Sequence, residues 1–140
     1  MNPYTISGIN WLAVLVAAFP YFALGALWYG LLFSKKWIAY QGIDVNDQEF
    51  KKGTSGIMTS SFFLMLITCV GLALLISSLE NDPTITTGII TGALTGLLFS
   101  FTAISISYLY VKKPAALHFI DGLYHVCGQI IAAVILCIWR

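Results

Sequence analysis

Asp121 and His125 stand one helical turn apart inside an apolar run that is long enough to cross a bilayer. An acid held in hydrocarbon is costly, so it is expected to be paired, wetted or protonated. Around it, at 100° per residue, His118, Asp121, His125 and Gln129 fall within an arc of about 80° on one helix. That polar stripe can do three kinds of chemistry. It can form an interhelical hydrogen-bond network, with Tyr29, Trp28 or the threonines of the preceding helix as partners. It can relay a proton or admit a small solute, the usual work of mid-membrane Asp and His. Or His118, Asp121 and His125 can ligate a metal, a weaker reading because metal sites draw ligands from several elements.

The element that carries the stripe is expected to span Leu117–Trp139. Its eleven strongly apolar residues each favour insertion by roughly 0.3–0.6 kcal/mol, against about 2.5–3.5 kcal/mol lost for a central Asp. Pairing Asp121 with His125 would offset part of that loss. Phe119, Val126 and Ile130 are expected to form the opposite, lipid-facing side.

Composition points the same way. The 140 residues are 59% hydrophobic and 9% charged, whereas soluble domains carry roughly 25% charged residues. Four apolar stretches, Ile9–Phe33, Ile57–Ser78, Thr86–Val111 and Leu117–Trp139, each reach the ~20 residues a span needs. The expected fold is therefore all-α: a single membrane domain over residues 1–140, built as a four-transmembrane-helix bundle. Met1–Asn10 carries no Lys or Arg, unlike a cleavable signal, so the first helix is expected to be retained.

Four lysines lie in the first connection and two in the third, which places both in the cytoplasm. The termini then face out. Within the first connection, Asn46 and Glu49 resemble a capping pattern for a short interfacial helix ending near Gly53. Pro20 removes a backbone donor from the first helix and should kink it. Trp28, Tyr29, Trp37 and Tyr40 mark the cytoplasmic interface. Asp82-Pro83-Thr84 reads as a tight turn.

The third helix carries Gly88, Gly92 and Gly96 at four-residue spacing, with Thr91 and Thr95 beside them. Such a face brings helices close. It serves either another helix of the chain or a second copy, so a homodimer or small homo-oligomer is one expectation. The net charge of +1 gives no reason to expect nucleic acid as a partner. Cys69, Cys127 and Cys137 form no C-x-x-C pair and read as buried hydrophobes. No nucleophile–base pair or phosphate loop is readable, so no enzyme and no cofactor is expected.

Several segments together resemble a known family. They are Asn10-Trp11-Leu12-Ala13, Gly25-Ala26-Leu27-Trp28-Tyr29-Gly30, Leu32-Phe33, Lys36-Trp37, and Leu123-Tyr124-His125 through Ile138-Trp139. In these the chain is similar to the DUF1761 family of small, mostly bacterial membrane proteins of unknown function. The resemblance covers nearly the whole sequence. It implies a four-helix fold in the cell membrane, the inner membrane of a bacterium, and no catalytic assignment. Trp28, Tyr29, Asp121 and His125 are the matching positions to follow. Two functions stay open: a protein that moves or senses a proton or small solute, and a structural or accessory subunit in which stripe and glycine face only pack helices.

Overall fold

The computed structural model describes residues 8–79 and 83–139, with the side chains of residues 49 and 50 excepted. Every regular element among them is helical. Helix α1 (Trp11–Leu27) starts where the Asn10 side chain accepts a hydrogen bond from the Ala13 amide, and it runs through Pro20. A π-helical turn, Trp28–Leu32, ends it. Helix α2 (Ser34–Gln41) follows and stops at Gly42, whose φ of 74° needs a residue without a Cβ. Helix α3 covers Gln48–Leu79. Helix α4 (Ile85–Thr95) opens on a reciprocal cap between Thr84 and Thr87. A second π-helical turn, Gly96–Phe101, joins it to α5 (Thr102–Tyr110) as one long helix. A tight connection through Lys112, at φ 54°, and Pro114 leads to α6 (Ala115–Ile138).

Four helical stretches are long and apolar enough to cross a membrane: Trp11–Leu32, Lys51–Leu79, Ile85–Tyr110 and Ala115–Ile138. They coincide with the four expected spans to within a few residues, except that the second is longer. The short helix differs from expectation. No separate helix ends near Gly53, because α3 runs without a break from Gln48. The short element lies earlier, at Ser34–Gln41. A side chain added at Gly53 would meet nothing within 4 Å, so no packed neighbour forces a stop there. Asp82 of the expected turn, and the charges of Glu80 and Arg140, lie outside the described residues.

Helix α6 is the axis. It packs against α1, α3 and the α4–α5 helix. Ala13, Ala17 and Ala18 of α1 and Ala132 and Ala133 of α6 are buried, and Cys69, Leu72 and Ile76 of α3 close the core. Small side chains let the backbones approach. The approach is closest at α4. A Cβ on Gly88 would lie 2.7 Å from the Val134 Cα, one on Gly92 2.5 Å from the Ile130 Cα, and one on Gly96 2.6 Å from the Val126 Cα. Each step of four along α4 matches a step of four backwards along α6, so the two helices are antiparallel.

The glycine face is thus occupied within the chain, and a homodimer through Gly88, Gly92 and Gly96 would have to displace α6. Val126 and Ile130 are corrected in the same way. Both are half-buried, with Val126 and the Ile130 backbone against Gly96 and Gly92, and the exposed large apolar side chains of α6 are Phe119, Leu123 and Ile138.

The π-helical turn Gly96–Phe101 has a structural result. Within this wider turn both Ser100 and Phe101 face α6. The Phe101 ring then occupies the place a Cβ would take at Gly122. Tyr21 fills the matching place at Gly128.

These close approaches give a direct test. Gly92→Ala sets a methyl against backbone atoms of α6, and overpacking of this kind costs about 1–3 kcal/mol. Gly71→Ala on α3 meets nothing within 4 Å and should be neutral or slightly stabilising. Thermal unfolding of both variants in detergent should show a clear fall for the first and none for the second.

Candidate functional site

The stripe residues sit on α6 because that helix has both a small and an apolar side, and the small side turns inward. Asp121 is 6% exposed and Gln129 3%. His125 and His118 are half-buried. Each finds a partner on a different element.

The Tyr108 hydroxyl of α5 donates to Asp121 Oδ2. Tyr108 in turn accepts from Gln41 Nε2 of α2 at 3.0 Å. The α2 end is held further by Lys113, whose Nζ donates to the Tyr40 carbonyl at 3.3 Å and the Gln41 carbonyl at 3.0 Å. A line of contacts therefore runs from α2 through Tyr108 to the buried carboxyl. The Tyr29 hydroxyl is a second phenol within electrostatic and hydrogen-bonding reach of the Asp121 carboxyl. Asp121 Oδ1, however, is buried and makes no hydrogen bond.

His125 is not hydrogen-bonded to Asp121. Its Nδ1 shares a hydrogen bond of 2.6 Å with the Tyr21 hydroxyl of α1. With the phenol as donor, the ring is the neutral tautomer carrying its proton on Nε2. The expected Asp121–His125 hydrogen-bonded pair is thus replaced by two tyrosine pairs. Helical spacing permits an i, i+4 contact, but each group is met instead by a phenol from a neighbouring helix.

Gln129 Nε2 donates to Ser100 Oγ on the second π-helical turn. Both line a groove of about 240 Å³ between α3 and the α4–α5 helix, with Thr68, Gly71, Thr95 and Phe99. That groove is eight residues from Asp121, about 12 Å along the axis. Thr95 takes no part across helices; its hydroxyl donates to the Thr91 carbonyl at 2.8 Å. Trp28 Nε1 donates to the Ile120 carbonyl at 2.8 Å, so this indole grips the α6 backbone rather than the stripe.

Tyr124 stands at the centre of the aromatic side chains. Its ring lies 5.1 Å from that of Tyr29, 5.9 Å from Tyr21 and 6.3 Å from Trp28. Its hydroxyl donates to the Tyr21 carbonyl at 3.1 Å. His118 stays apart: its Nε2 is 3.3 Å from the Lys113 carbonyl, and its ring lies beside Tyr108. Among the described residues no group of three His, Cys, Asp or Glu side chains comes together, so His118, Asp121 and His125 do not converge on one point.

Sequence reasoning did not assign Tyr21, Tyr108, Ser100 or Gln41 to the site. One signal was available for Tyr21. It lies seven residues before Trp28 and four before Gly25, on the side of α1 that carries Ala17 and Ala18. That small, aromatic face marks the α6 contact. Tyr108 gives no such signal, because an aromatic beside lysines also fits the interface.

Residues 12–137 match the family model of DUF1761, described as a protein of unknown function. No curated protein and no solved structure matches the chain.

Two substitutions probe the tyrosine pairs. Tyr108→Phe removes the hydrogen bond to Asp121 Oδ2, and Tyr21→Phe removes the one to His125 Nδ1. Each should cost about 1–3 kcal/mol. In a double-mutant cycle, Tyr108→Phe should cost clearly less in an Asp121→Asn background than in the natural chain, with coupling of roughly 0.5 kcal/mol or more. Denaturation of the four proteins in detergent checks this.

Proposed function

The chain belongs to the DUF1761 family, and we propose that it is an integral membrane protein whose polar stripe locks its helices together, in a structural or accessory role. The observation that carries this is the partner list of α6. Asp121, His125 and Gln129 each bond a side chain from another helix, and Trp28 and Tyr124 add bonds to backbone carbonyls. A network of direct partners on three sides fixes the position and rotation of the axial helix. In lipid the alternative for each group is an unsatisfied polar atom, so the network also discriminates against other packings.

The same reading sets the protein in the cell membrane as a four-helix bundle, with the lysine-bearing connections in the cytoplasm and the termini outside. Helix α2, carrying Lys35, Lys36, Trp37 and Tyr40, rests at the cytoplasmic interface, where such side chains prefer to lie. The bilayer is the partner that the outward apolar faces fit, among them Leu64, Ile67 and Phe99, each more than half exposed.

A second reading is favoured by one specific observation. Asp121 Oδ1 is a buried acceptor without a donor. Buried polar atoms are nearly always paired, and this one fits a position where a proton or small solute binds and is sensed.

Reconstitution into liposomes separates transport from locking. With a pH gradient imposed, the natural chain and Asp121→Asn should both show background proton flux. Asp121→Asn should also unfold at lower temperature in detergent. Flux that depends on Asp121 would overturn the locking role as the main one.

A further inference from the structure

We propose that Asp121 and the aromatic side chains around it form a site for a small ammonium ion that carries at least one N–H. The inference rests on the reading of Asp121 as an open solute position, and it names the solute.

The first argument is the free acceptor. Asp121 is 6% exposed, its Oδ2 takes a phenol hydrogen, and its Oδ1 takes none. An N–H from a ligand supplies what is missing. The second is charge. The carboxyl has a phenol and not a cation as its hydrogen-bond partner. The basic side chains on and beside this end of α6 make their hydrogen bonds elsewhere: Lys113 to the carbonyls of Tyr40 and Gln41, His118 to the Lys113 carbonyl, and His125, which feels the Asp121 charge, to Tyr21. A buried carboxyl with no cation hydrogen-bonded to it is costly to ionise, and a bound cation offsets that cost.

The third argument decides the kind of cation. Trp28, Tyr29, Trp37, Tyr108 and Tyr124 converge on this end of α6 from four elements. Tyr29 links them, with ring centroids 5.1 Å from Trp37 and 5.1 Å from Tyr124, and it interacts with Asp121 itself. Aromatic faces attract weakly hydrated cations within about 6 Å. A hard metal ion would instead need several oxygen ligands. Here Oδ1 is the free oxygen, and the nearby Ile120 carbonyl already accepts from Trp28.

Two further buried polar atoms lack partners, Trp37 Nε1 and Ser105 Oγ. The Trp37 ring lies tilted beside that of Tyr29, and Ser105 stands one turn before Tyr108. Unpaired groups are thus gathered at this end, where the π-helical turn Trp28–Leu32 also lies. Such turns recur at functional sites.

Tryptophan fluorescence of the purified full chain in detergent tests the proposal at fixed pH. Methylammonium chloride should give a saturable change, and sodium chloride or tetramethylammonium chloride at equal ionic strength should not. Asp121→Asn, with its helical circular dichroism retained, should abolish the response. Tyr29→Leu keeps the Tyr108–Asp121 bond and should weaken it roughly fivefold; it serves as the test if Asp121→Asn does not fold. An equal, Asp121-dependent response to sodium or to tetramethylammonium would overturn the N–H ammonium assignment and leave the open position standing. A response to methylammonium that survives both substitutions would overturn the assignment at this site. No response to any of the three salts, and none to a pH titration that Asp121→Asn removes, would overturn both readings.

Discussion

A buried polar side chain in an apolar surround has no water to fall back on. Its hydrogen bonds must come from the protein, and in lipid this holds for every polar atom at depth. Helix α6 places Asp121, His125 and Gln129 on its inward side, so the other helices have to deliver donors and acceptors at those heights. The answer in this chain is consistent: a hydroxyl from a neighbouring helix, twice from tyrosine and once from serine. Tyrosine suits the task because its ring contributes apolar contact while its tip reaches a polar atom.

Bringing phenols to the stripe requires space, and the glycines provide it. Gly122 and Gly128 accept the rings of Phe101 and Tyr21, while Gly88, Gly92 and Gly96 bring α4 onto the α6 backbone. The π-helical turn at Gly96–Phe101 links the two features. Up to Gly96 the four-residue rhythm sets backbone on backbone. Beyond it the wider turn sets both Phe101 and Ser100 against α6, where Ser100 meets Gln129. Polar satisfaction and close packing are therefore one arrangement, and a change to either disturbs the other.

The end of the molecule near Asp121 is organised differently from the middle. At the middle the stripe is paired directly. Near Asp121 the short helix α2 is tied in through Gln41, Tyr108 and Lys113, and unpaired polar atoms remain at Asp121, Trp37 and Ser105. Aromatic side chains gather beside them. The contrast separates a structural segment of the stripe from a segment with the chemistry to hold a ligand.

Hydropathy alone determined the four long helices, because a run of apolar residues has one economical conformation when its backbone must satisfy itself. Helical spacing likewise determined that His118, Asp121, His125 and Gln129 share a side, and that Gly88, Gly92 and Gly96 make a packing face. Neither rule contains the identity of the partner. Helix α6 of the same chain covers the glycines. His125 meets Tyr21, 104 residues earlier in the sequence, and Asp121 meets Tyr108. The extent of α3 and the position of the short helix differ from the expectation for a related reason: a capping pattern marks where a helix can start, but its end depends on what stops it. Local sequence sets periodicity and burial cost. Which side chain meets which depends on the rotation and height of whole helices, and the packing of the entire chain decides those together.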